Sequence, residues 1–314
     1  MIISASRRTD IPNYFSNWFF NRIQEGYVYV RNPINIHQVS QISLSKDVVD
    51  CIVFWTKNPK NMLPRLKELD GYPFYFQFTL TGYGKDIEPN LPDKRKELIY
   101  TFIELSKMIG RERVIWRYDP VLINERYTLE YHVKAFSEIA EALSLYTQKV
   151  VISFIDLYAK TQRNTKELQL VGLKKEDMRE IAKCFSEIAS QNNLKLETCS
   201  EDIDLSEFGI GKGHCIDAGL IEKLIGCKIV AEKDKNQRQE CGCIESIDIG
   251  AYNTCKNGCR YCYANFNNKC VMQNNELHDP YGPLLYGKLE KEDRLIERKV
   301  ESCKKLQMSL FDLE

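Results

Sequence analysis

Cys51-Ile-Val-Phe-Trp55 is a short apolar run that leads directly into the polar residues Thr56-Lys57-Asn58. The same succession, an apolar run with a polar end and then a longer amphipathic stretch, recurs through most of the chain. Apolar residues at three- and four-residue steps predict helices over Asp93–Ile109, Thr128–Leu145 and Lys174–Asn192. Short strands that alternate with helices predict βαβ units and therefore a parallel sheet.

Six apolar runs are predicted strands: Ile2–Ala5, Cys51–Trp55, Phe74–Phe78, Arg113–Trp116, Val150–Phe154 and Leu194–Thr198. Six such units favour a six-stranded parallel (β/α) barrel, closed or incomplete, over residues 1–227, with a doubly wound open sheet as the alternative. Residues 228–240 are polar and predict a linker. Residues 228–314 would then form a separate C-terminal segment that caps the carboxyl ends of the strands, with a basic helix over Leu289–Lys305.

Charged or hydroxyl side chains lie at or just beyond the end of every predicted strand. Because the loops beyond the carboxyl ends of parallel strands form the active site in α/β folds, we expect these side chains to line one. They are Arg7, Arg8, Asp10, Thr56, Lys57, Thr79, Arg117, Asp119, Ser153 and Glu201. A structural ion pair is the alternative for Arg117 and Asp119, and a helix cap is the alternative for Asp10.

A cysteine motif lies near the C-terminal end, in Asp248-Ile-Gly-Ala-Tyr-Asn-Thr-Cys255-Lys-Asn-Gly-Cys259-Arg-Tyr-Cys262. Its spacing is C-x3-C-x2-C, and the aromatic residue Tyr261 precedes the third cysteine. Thiolates are the ligands of iron–sulfur clusters, and three of them leave one iron of a four-iron cluster with an open coordination position. The alternative is a zinc site that joins the last two cysteines to Cys241 and Cys243 and leaves the first cysteine out.

Four of the nine cysteines outside the motif form a second candidate group, and two of these four also belong to the zinc alternative. Cys199 ends a predicted strand, Cys215 follows a glycine-rich loop, and Cys241-Gly-Cys243 comes just before the motif. These four predict a second metal centre, either an auxiliary 4Fe-4S cluster or zinc.

The composition is that of a globular protein, with 43% hydrophobic and 28% charged residues. No apolar run approaches the roughly 20 residues that a membrane span needs. Because the formal net charge is zero, a polyanion would need a local basic patch. The N-terminus, Met1-Ile-Ile-Ser-Ala-Ser-Arg-Arg8, has charges where a signal peptide has its apolar core, so we expect a cytoplasmic protein. In that compartment twelve cysteines favour metal binding over disulfides.

The cysteine triad and its aromatic neighbour resemble the motif of radical S-adenosylmethionine (radical SAM) enzymes. The resemblance implies a 4Fe-4S cluster on Cys255, Cys259 and Cys262, with SAM bound at the open iron through its amino and carboxylate groups. It also implies a 5′-deoxyadenosyl radical that abstracts hydrogen from a substrate, and an electron donor such as flavodoxin or ferredoxin. It extends to a bacterial family of unknown function with the same late motif, through Phe54–Pro59, Trp116–Pro120, Glu197–Glu201 and Cys241–Asn265.

Under this resemblance the strand-end residues acquire expected roles. The expected contacts of the cofactor are Thr56, Thr79, Ser153 and Tyr261, and the expected catalytic residues are Arg7, Arg8, Asp10, Lys57, Arg117, Asp119 and Glu201. Among these, the basic residues would bind the SAM carboxylate or a substrate phosphate. Asp119 and Glu201 would accept hydrogen bonds from ribose hydroxyls or the SAM ammonium.

The chain departs from the usual radical SAM order in two respects. The cysteines usually follow the first strand, whereas here they come after the sixth unit. Either the C-terminal segment folds back over the barrel, or the barrel is permuted and Ser246–Tyr252 serves as a strand. The glycine-glycine-glutamate motif that holds the SAM amino group is absent as well.

Gln307-Met-Ser-Leu-Phe311 resembles the peptide by which bacterial DNA repair and replication enzymes dock on the sliding clamp. Thr56-Lys57 resembles a strand end of spore-photoproduct-lyase-like enzymes. Together they favour DNA or a nucleotide as the substrate, while a peptide or a small metabolite stays open. The alternatives to a radical enzyme are a zinc-binding protein and a clamp-recruited DNA-binding module with a structural cluster.

Overall fold

The computed structural model describes residues 1–156 and 159–305, apart from the side chains of residues 159–161. In chain order the strands and α-helices of this part are β1 (Ile2–Ala5), α1 (Ile11–Tyr14), α2 (Ser16–Glu25), β2 (Tyr27–Arg31), β3 (Gln38–Ser43), β4 (Cys51–Thr56), β5 (Phe74–Thr79), α3 (Ile99–Ile109), β6 (Val114–Val121), α4 (Leu129–Leu143), β7 (Lys149–Phe154), α5 (Ala159–Thr165), α6 (Lys175–Gln191), β8 (Lys195–Thr198), β9 (Gly211–Lys212), α7 (Ala218–Ile225), β10 (Ile247–Asp248), α8 (Asn268–Glu276) and β11 (Arg294–Glu297).

Eight strands form one sheet in the order β10-β1-β4-β5-β6-β7-β8-β9, and every neighbouring pair is parallel. The α/β fold and its parallel sheet are therefore confirmed, and all six predicted strands belong to the sheet. Among the described residues the edge strands β9 and β10 do not pair with each other. The sheet is open and has eight strands, where a six-stranded barrel was expected.

The late strand β10 explains how a motif near the C-terminal end reaches the sheet. Ile247 and Asp248 pair in parallel with Ile3 and Ser4 of β1. Of the two arrangements predicted from the sequence, the one in which Ser246–Tyr252 contains a strand agrees with this pairing. The cysteine motif therefore leaves the sheet from the carboxyl end of an edge strand, although it comes last in sequence.

One face of the sheet packs against α2, α3, α4 and α6 in a large apolar core. Phe136 of α4 stacks on Trp116 of β6 at 4.8 Å and on Phe185 of α6 at 4.0 Å between ring centroids. All three rings are fully buried. Aromatic side chains of this size contribute much of the stabilisation by burying a large apolar area.

The opposite face of the sheet is covered by residues 215–244, which include α7 and the predicted linker. Alternate strand residues, Ile2, Val53, Tyr75, Ile115 and Val151, pack there against this covering segment. The Tyr75 hydroxyl and the Gln77 amide donate to the Cys215 carbonyl at 2.6 and 3.0 Å. The linker thus lies along the protein rather than apart from it.

A second sheet of three strands, in the order β11-β3-β2, joins the end of the described chain to its beginning. β11 lies within Leu289–Lys305, so the helix predicted for that stretch is wrong. Three of the four residues of β11 are exposed. The strand is held by its parallel pairing with β3, not by an apolar helix face packed on the core. Within the described residues, no helix combines the length and apolarity that crossing a bilayer requires.

We predict that the buried side chain of His132 makes the folded state less stable at low pH. It is fully buried in α4, where it contacts the Tyr118 hydroxyl and the Leu122 carbonyl at 2.8 Å each. Burial lowers the pKa of His132 from 6.5 to about 4. As pH falls from 6.5 to 4 the unfolded chain takes up a proton that the folded chain does not, so the folded state loses about 3 kcal/mol.

Urea unfolding of the wild type and of His132→Gln from pH 7.5 to 4 measures this loss, which the variant lacks. His37→Gln, at a half-exposed histidine, serves as the control and should keep the wild-type slope. If the free energy of unfolding fell equally with pH in the wild type and in His132→Gln, the lowered pKa of His132 would not be the cause of the loss.

Candidate functional site

Asp248 of β10 joins the cysteine motif to the carboxyl end of β1. Its carboxylate accepts hydrogen bonds from the hydroxyls of Ser4 and Ser6, both at 2.7 Å, and from the backbone N–H of Arg7 at 2.8 Å. A Cβ on Gly250 would lie 2.1 Å from the Ser6 oxygen, so only glycine allows this close approach. The sequence analysis did not identify Asp248 as a site residue.

Asp10 fixes the loop that carries the cysteines, residues 251–265, which we name the cysteine loop. Its carboxylate caps α1, accepts from the Thr56 hydroxyl at 2.7 Å and from the Lys57 backbone at 2.8 Å. It also accepts from the Asn257 amide, in the cysteine loop, at 3.0 Å. Asp10 and Thr56 are buried and bonded internally. The structure therefore supports the helix-cap alternative for Asp10.

Asn257 is the cysteine-loop partner in this arrangement. Its carbonyl oxygen accepts from the Asn13 amide at 3.2 Å and from the Tyr14 hydroxyl at 2.8 Å. Next to it, Gly258 adopts a left-handed φ of 69°, a conformation that glycine takes without strain. These contacts set the path of the chain between the first and second cysteines of the motif.

The three motif cysteines, Cys255, Cys259 and Cys262, are half-buried in the cysteine loop. Burial and the neighbouring thiols raise the pKa of Cys255, and burial raises the pKa of Cys259 to about 12 against the opposing charge of Lys57. The backbone N–H of Ala264 donates to the Cys262 sulfur at 3.4 Å. The three thiols thus lie close enough to affect one another.

No group of three or more His, Cys, Asp or Glu side chains in the described part of the chain is arranged to hold a metal ion. The thiolates of a cubane bind different iron atoms, so they stand further apart than the ligands of a single ion.

Lys57 is part of a buried charge network next to Cys259. Its ammonium donates to Glu88 at 2.8 Å and to the Tyr261 hydroxyl at 2.7 Å. The Glu88 carboxylate also accepts from Lys94 and from the Tyr261 hydroxyl. Burial would raise the pKa of Glu88, but the charges of Lys57 and Lys94 outweigh it and hold that pKa well below its usual range.

This network gives internal partners to two of the predicted site residues. Lys57 was expected to bind an external anion, and its anion is Glu88. Tyr261 was expected beside the cofactor, and its hydroxyl is bonded to Glu88. Glu88 lies in the loop after β5, and Lys94 begins the helical turn Lys94–Leu98. Neither residue follows directly on a predicted strand, so neither was predicted to belong to the site.

Arg117 and Asp119 form the ion pair that was the structural alternative for them. The guanidinium donates to Asp119 through Nε at 3.0 Å and through Nη2, and Ser153 donates to the other Asp119 oxygen. Glu201 accepts from the Phe154 backbone at 2.9 Å. Burial, with the nearby charge of Asp119, raises the pKa of Glu201 to about 8.

The two N-terminal arginines lie half-buried at the carboxyl end of β1. Arg7 lies over the Trp55 ring at 5.2 Å and 3.5 Å from the Asp234 carboxylate, while its Nη2 is buried without a hydrogen-bond partner. Arg8 lies 4.0 Å from Asp248 and over the Tyr252 ring. Thr79 is half-buried at the end of β5.

The other four predicted ligands come together under the covering segment: Cys199, Cys215, Cys241 and Cys243, which we name the tetracysteine cluster. The sulfurs of Cys199 and Cys215 are 3.3 Å apart, and Cys243 hydrogen-bonds both Cys215 and Cys241. The contact with Cys243 lowers the pKa of Cys241 to about 6. Cys241 and Cys243 thus contact each other and Cys215, and a zinc site that joins them to the cysteine loop stays a prediction.

Residues 2–264 match the family described as a domain of unknown function, DUF1848. The chain belongs to the DUF1848 family. Its matched region contains both the cysteine loop up to Ala264 and the tetracysteine cluster. No curated protein and no solved structure matches the chain. The clamp-like peptide Gln307–Phe311 lies outside both the match and the described residues.

Asn257→Ala tests how the cysteine loop of this DUF1848 protein is held. The change removes three hydrogen bonds, one of the four that Asp10 accepts and those from the Asn13 amide and the Tyr14 hydroxyl, so we expect the free energy of unfolding to fall by about 1–3 kcal/mol. Hydrogen exchange of the amides of residues 251–265 should accelerate more than that of β5. Asn268→Ala, at an exposed position of α8, is the control. Unchanged exchange in the cysteine loop of Asn257→Ala would contradict this account.

Proposed function

We propose that this DUF1848 protein is a radical SAM enzyme whose cluster is held by Cys255, Cys259 and Cys262. The observation that carries the proposal is the position of the cysteine loop. It leaves the sheet at the carboxyl end of an edge strand, beside the strand ends of β1 and β4. In parallel α/β sheets this edge is where substrates and cofactors bind.

The residues present fit a thiolate-bound cluster. The loop offers three soft ligands, and the Ala264 N–H on Cys262 is the kind of bond that stabilises a metal-bound thiolate. Lys57 places a buried positive charge near Cys259, which favours the thiolate. When bound, a cluster of this kind supplies the electron that cleaves SAM to methionine and a 5′-deoxyadenosyl radical.

The chain's own residues divide into positioning groups and binding candidates. Asp10, with Asn257, holds the cysteine loop, and Arg117 holds Asp119. We assign these a positioning role. Glu201 remains the candidate for accepting the SAM ammonium, since the carboxylates around it favour a cation. Arg8, at the carboxyl end of β1, is the candidate for a carboxylate or phosphate.

The proposed substrate class is DNA or a nucleotide, and the proposed partners are a low-potential electron donor and the sliding clamp. The substrate and the clamp rest on the sequence resemblances of Thr56-Lys57 and of Gln307–Phe311. Binding of the purified clamp by the full chain, lost on deletion of residues 307–314, would support the recruitment. Binding that survives this deletion would reject it.

Anaerobic reconstitution tests the enzymatic proposal. Supplied with iron, sulfide, SAM and dithionite, the wild type should bind about four irons in the cysteine loop and release 5′-deoxyadenosine. Cys255→Ser should lose the product at least about a hundredfold, because the cluster loses a ligand. Cys184→Ser removes a half-buried cysteine of α6 and should retain the wild-type activity.

Two results would reject the radical mechanism. One is a colourless wild-type protein that binds zinc but no iron after reconstitution. The other is a cluster that forms on the cysteine loop and yields no 5′-deoxyadenosine under reducing conditions, as expected of a structural cluster.

Lys57→Gln predicts a shift in the reduction potential of the proposed cluster. The change removes a buried positive charge near Cys259, and loss of a positive charge makes adding an electron less favourable. Glu88 keeps Lys94 as a partner, so the network remains partly satisfied. Redox titration followed by EPR should give a more negative potential.

Lys60→Gln, at an exposed lysine, should leave the potential unchanged. An unchanged or more positive value for Lys57→Gln would contradict the role.

A further inference from the structure

We propose that the tetracysteine cluster is a second metal centre that binds one zinc ion and is independent of the cysteine loop. Its members come from three places in the chain. Cys199 follows β8, Cys215 follows β9, and the Cys241-Gly-Cys243 pair precedes β10. Nothing in the proposed radical chemistry requires these sulfurs to meet.

The distance between the sulfurs of Cys199 and Cys215 is close to the spacing around a single ion, although no three of the sulfurs surround one point as the side chains stand. The Cys199 and Cys215 sulfurs are 3.3 Å apart, whereas four sulfurs around a tetrahedral zinc with Zn–S bonds of about 2.3 Å stand about 3.8 Å apart. The four thiols contact one another in series, in the order Cys199, Cys215, Cys243, Cys241. They do not surround a common centre, as the ligands of a bound ion would. Small side-chain rotations would open the space for one ion, while a cubane would need a much larger separation.

The surroundings of the sulfurs are those of thiolates rather than of neutral thiols. Arg117 Nη1 donates to the Cys215 sulfur at 2.8 Å, on the edge of the guanidinium that Asp119 leaves open. The backbone N–H of Ile216 donates to the Cys243 sulfur at 3.3 Å. Amide and guanidinium donors of this kind stabilise metal-bound sulfur.

Charge balance supports the same conclusion. Four thiolates on Zn²⁺ carry a net charge of about −2. Arg7 and Arg117 both face the cluster, and Arg7 interacts most strongly with Cys243. The Arg7 Nη2 is buried and has no acceptor. A buried donor without a partner is costly, and an anionic zinc–thiolate group would supply the missing negative charge.

The inferred role is structural. The cluster connects the end of β8 to both ends of the covering segment, which closes the second face of the sheet. The four sulfurs come together only in the folded chain, so zinc binds the folded state and its binding free energy contributes directly to folding stability. The zinc would fix the covering segment and, through it, the chain that leads into β10.

Elemental analysis of the full chain tests this inference separately from the proposed function. The variant with Cys255, Cys259 and Cys262 all changed to serine should retain about one zinc per chain and no iron. Adding Cys215→Ser and Cys243→Ser to that variant should lower the zinc at least about tenfold, whereas adding Cys227→Ser should not. Cys227 is half-buried and outside both cysteine groups.

A second measurement guards against variants that fail to fold. Chelation of zinc from the wild type should lower its melting temperature, and added zinc should restore it. Cobalt(II) in place of zinc should give the visible absorption of a tetrahedral thiolate site. Iron with sulfide in the variant that lacks the three loop cysteines would overturn the zinc assignment. A wild type without zinc that melts at the same temperature with and without chelator would overturn the site altogether.

Discussion

The carboxylate of Asp248 holds two distant parts of the chain together, and the candidate site depends on it. Three of its hydrogen bonds reach residues 4 to 7, about 240 positions away in sequence. They supplement a parallel pairing of only two residues per strand, which would be weak by itself. Through this contact the cysteine loop leaves the sheet beside β1, next to Asp10 and the strand end that carries Lys57.

Once the loop is there, burial and charge determine what the neighbouring residues can do. The Asp10 carboxylate accepts hydrogen bonds from the first turn of α1, from the end of β4 and from the cysteine loop. Lys57 is paired with Glu88, and its charge also favours the thiolate of Cys259. The two sulfur groups occupy different surroundings, one in the cysteine loop and one beneath the covering segment. We therefore assign them different tasks.

The sequence predicted the parts of the fold that depend on local pattern. Runs such as Cys51–Trp55 are buried in the sheet, so they read as strands without further information. Short edge strands such as β10 and β11 have too few apolar residues to be recognised, and their pairing comes from distant partners. Most of the predicted strand-end residues lie at strand ends, but Arg117 and Asp119 lie within β6, which continues to Val121. The partners of these residues were not predicted, because Glu88 and Asn257 lie in loops whose positions only the tertiary structure defines. The contact between the sulfurs of Cys199 and Cys215 could not be predicted either, because it also depends on the tertiary structure.

The proposed radical chemistry requires the cysteine loop to bind a cluster that keeps one iron free of protein ligands. A structure of the anaerobically reconstituted protein, with anomalous scattering recorded above and below the iron absorption edge, measures this directly. We predict an iron peak at the cysteine loop, bonded to the sulfurs of Cys255, Cys259 and Cys262 and to no fourth side chain. An iron site closed by a fourth protein ligand, or no iron at the loop, would contradict the account.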